Sequence, residues 1–227
     1  MTSPIAVFDL DGTLLDTAPD LLASLNHVLV ANDLPETDID RLRRFVGQGG
    51  RVMLERAFTA AGRTFSDEIA DQLVQQFVAH YGDNMPGETV AFEGVLDLVD
   101  GLRARGYKTA ICTNKTEALA VKLIASMGLS DKFDALCGGD TFPVKKPDAD
   151  HIFLTIDAAG GDRNRAVMFG DSAADINAAN NGAIPVIAVD FGYTDEHVST
   201  FGPTRVISHF NEITLDDIDA MIGESHA

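Results

Sequence analysis

Asp9 and Asp11 stand two residues apart in the run Phe8-Asp9-Leu10-Asp11-Gly12-Thr13-Leu14-Leu15-Asp16, directly after the apolar stretch Ile5-Ala6-Val7-Phe8. Where a buried strand gives way to a glycine turn, paired carboxylates contribute nothing to packing. One can attack an electrophile and hold a metal while its neighbour handles a proton. An Asx-type turn capping the next helix accounts for one of these acids and poorly for three.

Three further segments carry groups of the same kind. Thr113, Asn114 and Lys115 follow the strand-like run Lys108 to Cys112, and Gly170, Asp171 and Ser172 follow Ala166 to Phe169. The loop Gly138 to Pro147 carries Lys145 and Lys146 immediately before its proline. Taken singly, each has an ordinary reading as a helix cap or a solvated loop. Together they fall at the strand ends where a doubly wound sheet builds its site.

The chemistry such groups support is narrow. A hard cation such as Mg²⁺ takes oxygen ligands, and Asp9 with Asp171 supplies a carboxylate pair for it. Asp175, one helical turn beyond Asp171, can face the same way. With Asp11 these are four acids in a small space, where a like-charged pair about 4 Å apart costs roughly 4 kcal/mol at an effective dielectric near 20. A divalent ion and Lys146 would reverse that charge and make the site receptive to a phosphate dianion. Asp9 could then attack phosphorus to give an aspartyl-phosphate, and Asp11 could protonate the leaving alcohol and later activate water.

The elements that must position these residues form an interrupted α/β pattern. A buried strand is expected at residues 5–10, followed by helices near 18–30, 38–46, 50–61 and 66–80 with no strand signal among them. Pro19 suits the opening turn of the first, and Leu21, Leu22, Leu25, Val28 and Leu29 recur at helical spacing. From Glu93 the alternation resumes, with helices at 95–105, 116–127, 149–159, 173–181 and 214–222. Strands are expected at 108–113, 135–137, 166–169, 185–189 and 205–207. This pattern predicts a doubly wound parallel sheet carrying an inserted bundle of four helices.

Composition narrows the class of protein. The chain has 227 residues, 45% of them hydrophobic and 23% charged, as expected of a globular enzyme with a sizeable core. A formal charge of −18, with 17 scattered Lys and Arg, argues against a nucleic acid partner. An anionic substrate would need locally concentrated positive charge. No apolar run approaches a membrane span, and the start Met1-Thr2-Ser3-Pro4 shows no export signal, so a cytoplasmic protein is expected. Cys112 and Cys137 share no metal-ligand spacing and read as reduced core residues. The six His show no ligand spacing either.

Asp9-Leu10-Asp11-Gly12-Thr13-Leu14, Thr113, Lys146-Pro147 and Gly170-Asp171-Ser172-Ala173-Ala174-Asp175 resemble, in order, the four motifs of the haloacid dehalogenase superfamily in its phosphatase form. The resemblance covers essentially the whole chain. It implies a Rossmann-like core at 1–16 and 90–227 and an α-helical cap at 17–89. It also implies Mg²⁺ as cofactor, Asp9 as nucleophile and ligand, Asp11 as acid/base and ligand through its carbonyl, and Asp171 completing the metal site. Asp175 would be an outer or alternate ligand, and Thr113 and Lys146 would hold the phosphoryl group, with Gly12 and Asn114 at the substrate. Leu15-Asp16-Thr17-Ala18-Pro19-Asp20-Leu21, Phe45-Val46-Gly47-Gln48-Gly49, Thr113-Asn114-Lys115 and Gly138 to Pro147 look like phosphoglycolate phosphatases. Ala149 departs from that pattern, past the phosphate lysine.

The implied activity is hydrolysis of a small phosphomonoester, 2-phosphoglycolate first. A phosphosugar mutase or a phosphatase for another small substrate stays open, and a phospho-Asp signalling module is disfavoured because Asp11 and a cap both serve turnover. Gly47-Gln48-Gly49-Gly50 follows no strand and is no dinucleotide loop. It does open a helix whose free N–H groups favour anions, so Gly49 and Arg51 are expected to meet the substrate carboxylate. A plain interhelix turn with Arg51 in solvent is the competing reading. Ser172 reads as a cap or positioning residue, and Lys115 and Lys145 as sources of field without phosphate contact.

Overall fold

The computed structural model describes residues 2–43 and 49–224. The chain begins with strand β1 (Ser3–Phe8) and then a two-residue strand β2 (Leu15–Asp16). Four helices follow, α1 (Ala18–Ala31), α2 (Ile39–Arg43), α3 (Gly50–Ala60) and α4 (Asp67–Asn84), before the chain returns through β3 (Val90–Ala91). The rest alternates: α5 (Val95–Ala104), β4 (Lys108–Cys112), α6 (Glu117–Ser126), β5 (Ala135–Cys137), α7 (Ala149–Ala159), β6 (Gly161–Gly170) and α8 (Ala173–Asn181). It closes with β7 (Val186–Val189), β8 (Arg205–Ile207) and α9 (Leu215–Glu224).

Six strands form one parallel sheet in the order β5-β4-β1-β6-β7-β8. Alternation of side chains along β1 explains why both faces are covered. Ile5 and Val7 enter one apolar cluster with Ala110, Met168 and the α7 and α8 residues Ile152, Ile156 and Ile176. Ala6 and Phe8 enter the other, with Ile111, Val167, Phe169, Leu102 of α5, Leu123 of α6 and Ile218 of α9. Phe8 and Phe169 stack on neighbouring central strands at 4.6 Å between ring centroids. This is the Rossmann-like α/β architecture that the alternating pattern predicts.

The inserted helices share the second cluster. Leu21, Leu25, Val28 and Leu29 of α1 pack there with Met53, Leu54 and Phe58 of α3 and Leu73, Phe77 and Tyr81 of α4. The chain leaves and re-enters the sheet domain through the antiparallel pair β2–β3, with Leu15 opposite Ala91 and Asp16 opposite Val90. Asp20 fastens the same crossing: its carboxylate accepts from the Glu88 N–H (2.7 Å), the Thr89 N–H (3.3 Å) and the Thr89 hydroxyl (2.5 Å).

Several boundaries differ from the expected ones for identifiable reasons. Strand β1 ends at Phe8, so Asp9 lies just beyond it. Strand β6 begins at Gly161, because an irregularity in its pairing with β1 inserts the polar segment Asp162 to Arg165, which carries no strand periodicity. Helix α4 runs on to Asn84 and stops where Met85, preceding Pro86, turns extended. The expected helix at 38–46 is described as far as Arg43. Its remainder, and the Phe45 to Gln48 part of the glycine-rich segment, lie outside the described residues.

Candidate active site

The carboxyl edge of the sheet delivers the polar groups to one place. At the end of β1 the Asp9 N–H still bonds the Phe169 carbonyl of β6 (2.9 Å), and the Leu10 carbonyl then accepts from both Leu14 and Leu15 N–H, closing a tight loop. That loop puts Asp9 and Asp11 on the same rim. Gly12 has φ of +90°, and a Cβ there would lie 2.3 Å from Asp171 Oδ2, so only glycine lets the β1 loop pass the carboxylate after β6. Thr13 closes the contact, its hydroxyl donating to Asp171 Oδ1 at 2.9 Å. Thr113 leaves β4 beside them, and the loop before α7 brings in Lys146. Asp9, Asp11, Thr113, Lys146, Asp171 and Asp175 are all buried.

Lys146 occupies the centre. Its Nζ donates to Asp9 Oδ1 (2.7 Å), Asp175 Oδ1 (2.6 Å) and the Cys112 carbonyl (2.6 Å). Burial works against this ammonium, but Asp175 and Asp9 outweigh it and hold its pKa above the ordinary lysine value. The acids are shifted upward as well, which for them disfavours the charged form. Burial, helped by the charges of Asp175 and Asp11 and opposed by Lys146, raises Asp9 to about 7. Burial together with Asp175 and Asp9 lifts Asp171 well above the carboxylate range, against the Tyr193 N–H and the Thr13 hydroxyl. One lysine does not neutralise the cluster.

Carboxylate oxygens of Asp9, Asp171 and Asp175 all lie within 4.8 Å of one another. An all-oxygen donor set whose charge burial disfavours suits a hard divalent cation and no soft one. Within the set, Asp175 is already engaged at both oxygens, by Lys146 at Oδ1 and by the Ser172 N–H (3.0 Å) and hydroxyl (2.6 Å) at Oδ2. Ser172 thus caps α8. Asp171 is engaged at both oxygens as well, by the Thr13 hydroxyl at Oδ1 and the Tyr193 N–H at Oδ2, while Asp175 also orients Lys146.

The remaining expected residues divide. Asp11 accepts from the Thr17 hydroxyl at 2.6 Å and from Lys115 Nζ at 2.8 Å (Oδ1) and 3.1 Å (Oδ2). Thr113 accepts the Lys115 N–H at 3.1 Å, and Asn114 donates to the Lys146 carbonyl at 3.0 Å while its buried Oδ1 has no hydrogen-bond partner. Gly12 packs on Asp171, not toward the substrate space. Gly49 lines the cavity of about 180 Å³ that opens above Asp9 between the sheet edge and the inserted helices. Arg51 does not line it: the side chain, 48% exposed, bonds Asp67 and Asp71 of α4 on the outside. Its position one residue after the helix start turns it away from the face that Gly49 and Gly50 present.

Lys115, expected as a source of field, contacts Asp11 directly, and other residues enter that sequence reading assigned no place. Tyr193 donates its N–H to Asp171 Oδ2 (2.6 Å), donates its hydroxyl to Asp16 (2.5 Å) and accepts the Ala18 N–H at that hydroxyl (3.0 Å). Gly192 lets this segment approach, since a Cβ there would lie 2.3 Å from that of Asp171. His151 braces the lysine loop: the Lys146 N–H bonds its Nδ1 at 3.2 Å and its Nε2 meets the Gly138 carbonyl at 3.1 Å. Burial, with the Lys146 charge, lowers His151 to about 4, so it stays neutral. Cys112 is a buried strand residue whose thiol burial pushes up to about 12. No described helix is long and apolar enough to cross a membrane.

An acid-bearing loop after the first strand, facing acids, a buried lysine and a helical insertion on a parallel sheet are the features to set beside known proteins. The family model described as haloacid dehalogenase-like hydrolase matches residues 6–189, and the chain belongs to that family. Within it the similarity is to phosphoglycolate phosphatases. A protein of that name from Mesorhizobium japonicum is 51% identical over 222 residues, covering 98% of each chain. Another from Agrobacterium fabrum is 48% identical over 225 residues, covering 99% of this chain and 97% of the other. A crystal structure of a predicted phosphoglycolate phosphatase from Haemophilus somnus superposes with a TM-score of 0.86 at 25% identity, covering 93% and 96% of the two chains. The chain is a phosphoric monoester hydrolase of this group.

Proposed function

We propose that the protein hydrolyses 2-phosphoglycolate to glycolate and phosphate through a phosphorylated Asp9, with Mg²⁺ as cofactor. The observation that carries this reading is the convergence of Asp9, Asp11, Thr113, Lys146 and Asp171 at one sheet edge, in a chain about half identical over nearly its full length to proteins named for that substrate.

Asp9 and Asp171, with the Asp11 carbonyl, would hold the ion, which when bound neutralises the carboxylates and the substrate's phosphoryl oxygens. Lys146 opposes the burial that raises Asp9 and holds its Oδ1, and with the Thr113 hydroxyl it receives the phosphoryl group. Asp9 attacks phosphorus as the ester oxygen departs. Asp11, on the opposite side of the same loop, gives that oxygen its proton and takes one from the water that opens the aspartyl-phosphate. Residues 17–89 serve as the cap, and the apolar side chains it contributes, Met53, Val74, Phe77 and Val78 among them, exclude water other than the attacking one.

The test is steady-state phosphate release from a panel of small phosphate esters, with Mg²⁺ and with chelator. Preference for 2-phosphoglycolate, abolished by chelator and restored by Mg²⁺, is expected. Equal rates across the panel would refute the substrate, and chelator-resistant turnover the metal.

A further inference from the structure

The carboxylate of phosphoglycolate needs a partner in the cavity, and Arg51 is turned outward into Asp67 and Asp71. Among the described residues lining the cavity the cations are Lys115 and Lys146. Lys146 already donates to three acceptors at the phosphoryl end. Lys115 is different. Its side chain is 7% exposed, with Nζ against both oxygens of Asp11 and 4.4 Å from the ring centre of Tyr81 on α4. The Tyr81 hydroxyl, 1% exposed as a residue and also on the cavity wall, makes no well-formed hydrogen bond with any described residue, Lys115 being its charged neighbour. An ammonium and a buried hydroxyl therefore stand side by side, one from the sheet edge and one from the inserted helices, between Asp11 and the apolar side chains that the helices bring to the cavity.

We infer that Lys115, with the Tyr81 hydroxyl, is the specificity-determining pair that binds the substrate's carboxylate, and that this binding loosens Lys115 from Asp11. The inference rests on the proposed substrate. In phosphoglycolate one methylene separates the ester oxygen from the carboxyl carbon. If Asp11 serves the ester oxygen, a carboxylate so close behind it must lie beside the groups that touch Asp11. The two oxygens of Asp11 are not held equally. Oδ1 accepts from Thr17 at 2.6 Å and Lys115 at 2.8 Å, whereas Oδ2 has the longer 3.1 Å contact to Lys115. An ammonium has three N–H donors. Giving the Oδ2 bond to the incoming carboxylate keeps Asp11 anchored at Oδ1 and frees Oδ2 for the ester oxygen. A substrate without the carboxylate leaves Oδ2 covered, so the same pair selects substrate in binding and in turnover.

Ethyl phosphate is the matched probe, since a methyl group replaces the carboxylate at the same position. The quantity to measure is the ratio of kcat/KM for 2-phosphoglycolate to that for ethyl phosphate, in wild type, Lys115→Met and Tyr81→Phe, with the inhibition constant of glycolate alongside. Loss of a charge-assisted bond should lower the ratio about 10²-fold in Lys115→Met, and loss of the hydroxyl about tenfold in Tyr81→Phe, with glycolate inhibition weakened in both. Lys115→Arg should recover part of the ratio. If Lys115→Met folds and both substrates slow equally, Lys115 only positions Asp11 and the inference is overturned. If Lys115→Met does not fold, Tyr81→Phe decides, because it removes a single oxygen: an unchanged ratio and unchanged glycolate inhibition refute the pair. A wild type that does not prefer phosphoglycolate over ethyl phosphate instead refutes the substrate on which the inference stands.

Discussion

Replacing Lys146 by Met keeps the length of the side chain and removes the charge at the centre of the site. In the native protein its Nζ lies 2.7 Å from Asp9 and 2.6 Å from Asp175. At an effective dielectric near 20 each pair is worth about 6 kcal/mol of gross attraction, against which stands a desolvation cost of several kcal/mol per buried ion. Methionine also spares the lysine its own desolvation, but it leaves two buried carboxylates facing each other, and breaking such an arrangement costs about 3 to 5 kcal/mol. The loss depends on pH in a defined direction. Carboxyl groups pushed above their unfolded pKa destabilise the fold once pH exceeds the unfolded value, and protonation relieves them as pH falls. Urea unfolding in chelator should therefore show the full deficit at pH 8 and a much smaller one near pH 5. Added Mg²⁺ should recover part of it at pH 8. A deficit under 1 kcal/mol at pH 8, or one that is the same at both pH values, would refute the view that Lys146 offsets the charges of Asp9 and Asp175.

Other perturbations separate the roles of the neighbouring residues. Asp9→Asn should abolish phosphate release while the circular dichroism spectrum stays native, and substantial turnover by the folded variant would remove Asp9 as nucleophile. Gly12→Ala must move Asp171 by about 1 Å and adopt a left-handed backbone at about 1 to 2 kcal/mol, so kcat/KM should fall about 10²-fold and Mg²⁺ should raise the melting temperature less; a change below threefold in kcat/KM contradicts the close approach. His151 is lowered to about 4 by burial and the Lys146 charge, so the unfolded chain binds its proton first as pH falls. Stability should drop by about 3 kcal/mol between pH 6.5 and pH 4 from this residue, and His151→Gln should flatten that part of the unfolding profile. An unchanged slope would place the acid sensitivity elsewhere. Ca²⁺ should support turnover poorly compared with Mg²⁺, because it prefers more ligands at longer distances; equal rates would argue against a compact two-carboxylate site.

What could be read from the sequence was local. Asp9, Asp11, Thr113, Lys146 and Asp171 each follow a short apolar strand or sit in a short loop, and the parallel sheet brings its carboxyl ends together without further instruction. Ser172 was legible as a cap, whereas Asp175, read as an outer or alternate ligand, also closes that cap from three residues on. The contacts that needed a third dimension were not. Lys115 meets Asp11 across 104 residues, and Tyr193 meets Ala18 across 175. Strands β2 and β3 have two residues each, too few for any periodicity to show. Arg51 failed for a rotational reason: helical position alone fixed its height beside Gly49 but not the face it takes, and Asp67 and Asp71 on α4 supply the partners that draw it outward.

Those long-range contacts bear on how cap and chemistry are joined. Tyr193 holds Asp171 by its backbone N–H, while its hydroxyl bonds Asp16 in β2 and the Ala18 N–H at the start of α1. The carboxylate proposed for the metal and the strand through which the chain passes into the inserted helices are thus bridged by a single buried residue. Asp20, in the first turn of α1, ties the segment before β3 to the same crossing through Glu88 and Thr89. Rotation of the helices about β2–β3 must either carry the Tyr193 ring with it or give up the bonds to Asp16 and Ala18. Both alternatives act on the residue that orients Asp171, and the cavity wall supplied by α3 and α4 moves in the same rotation. A rotation that opened the cavity would therefore also loosen Asp171, and it would strain the bond from Thr17, beside β2, to Asp11.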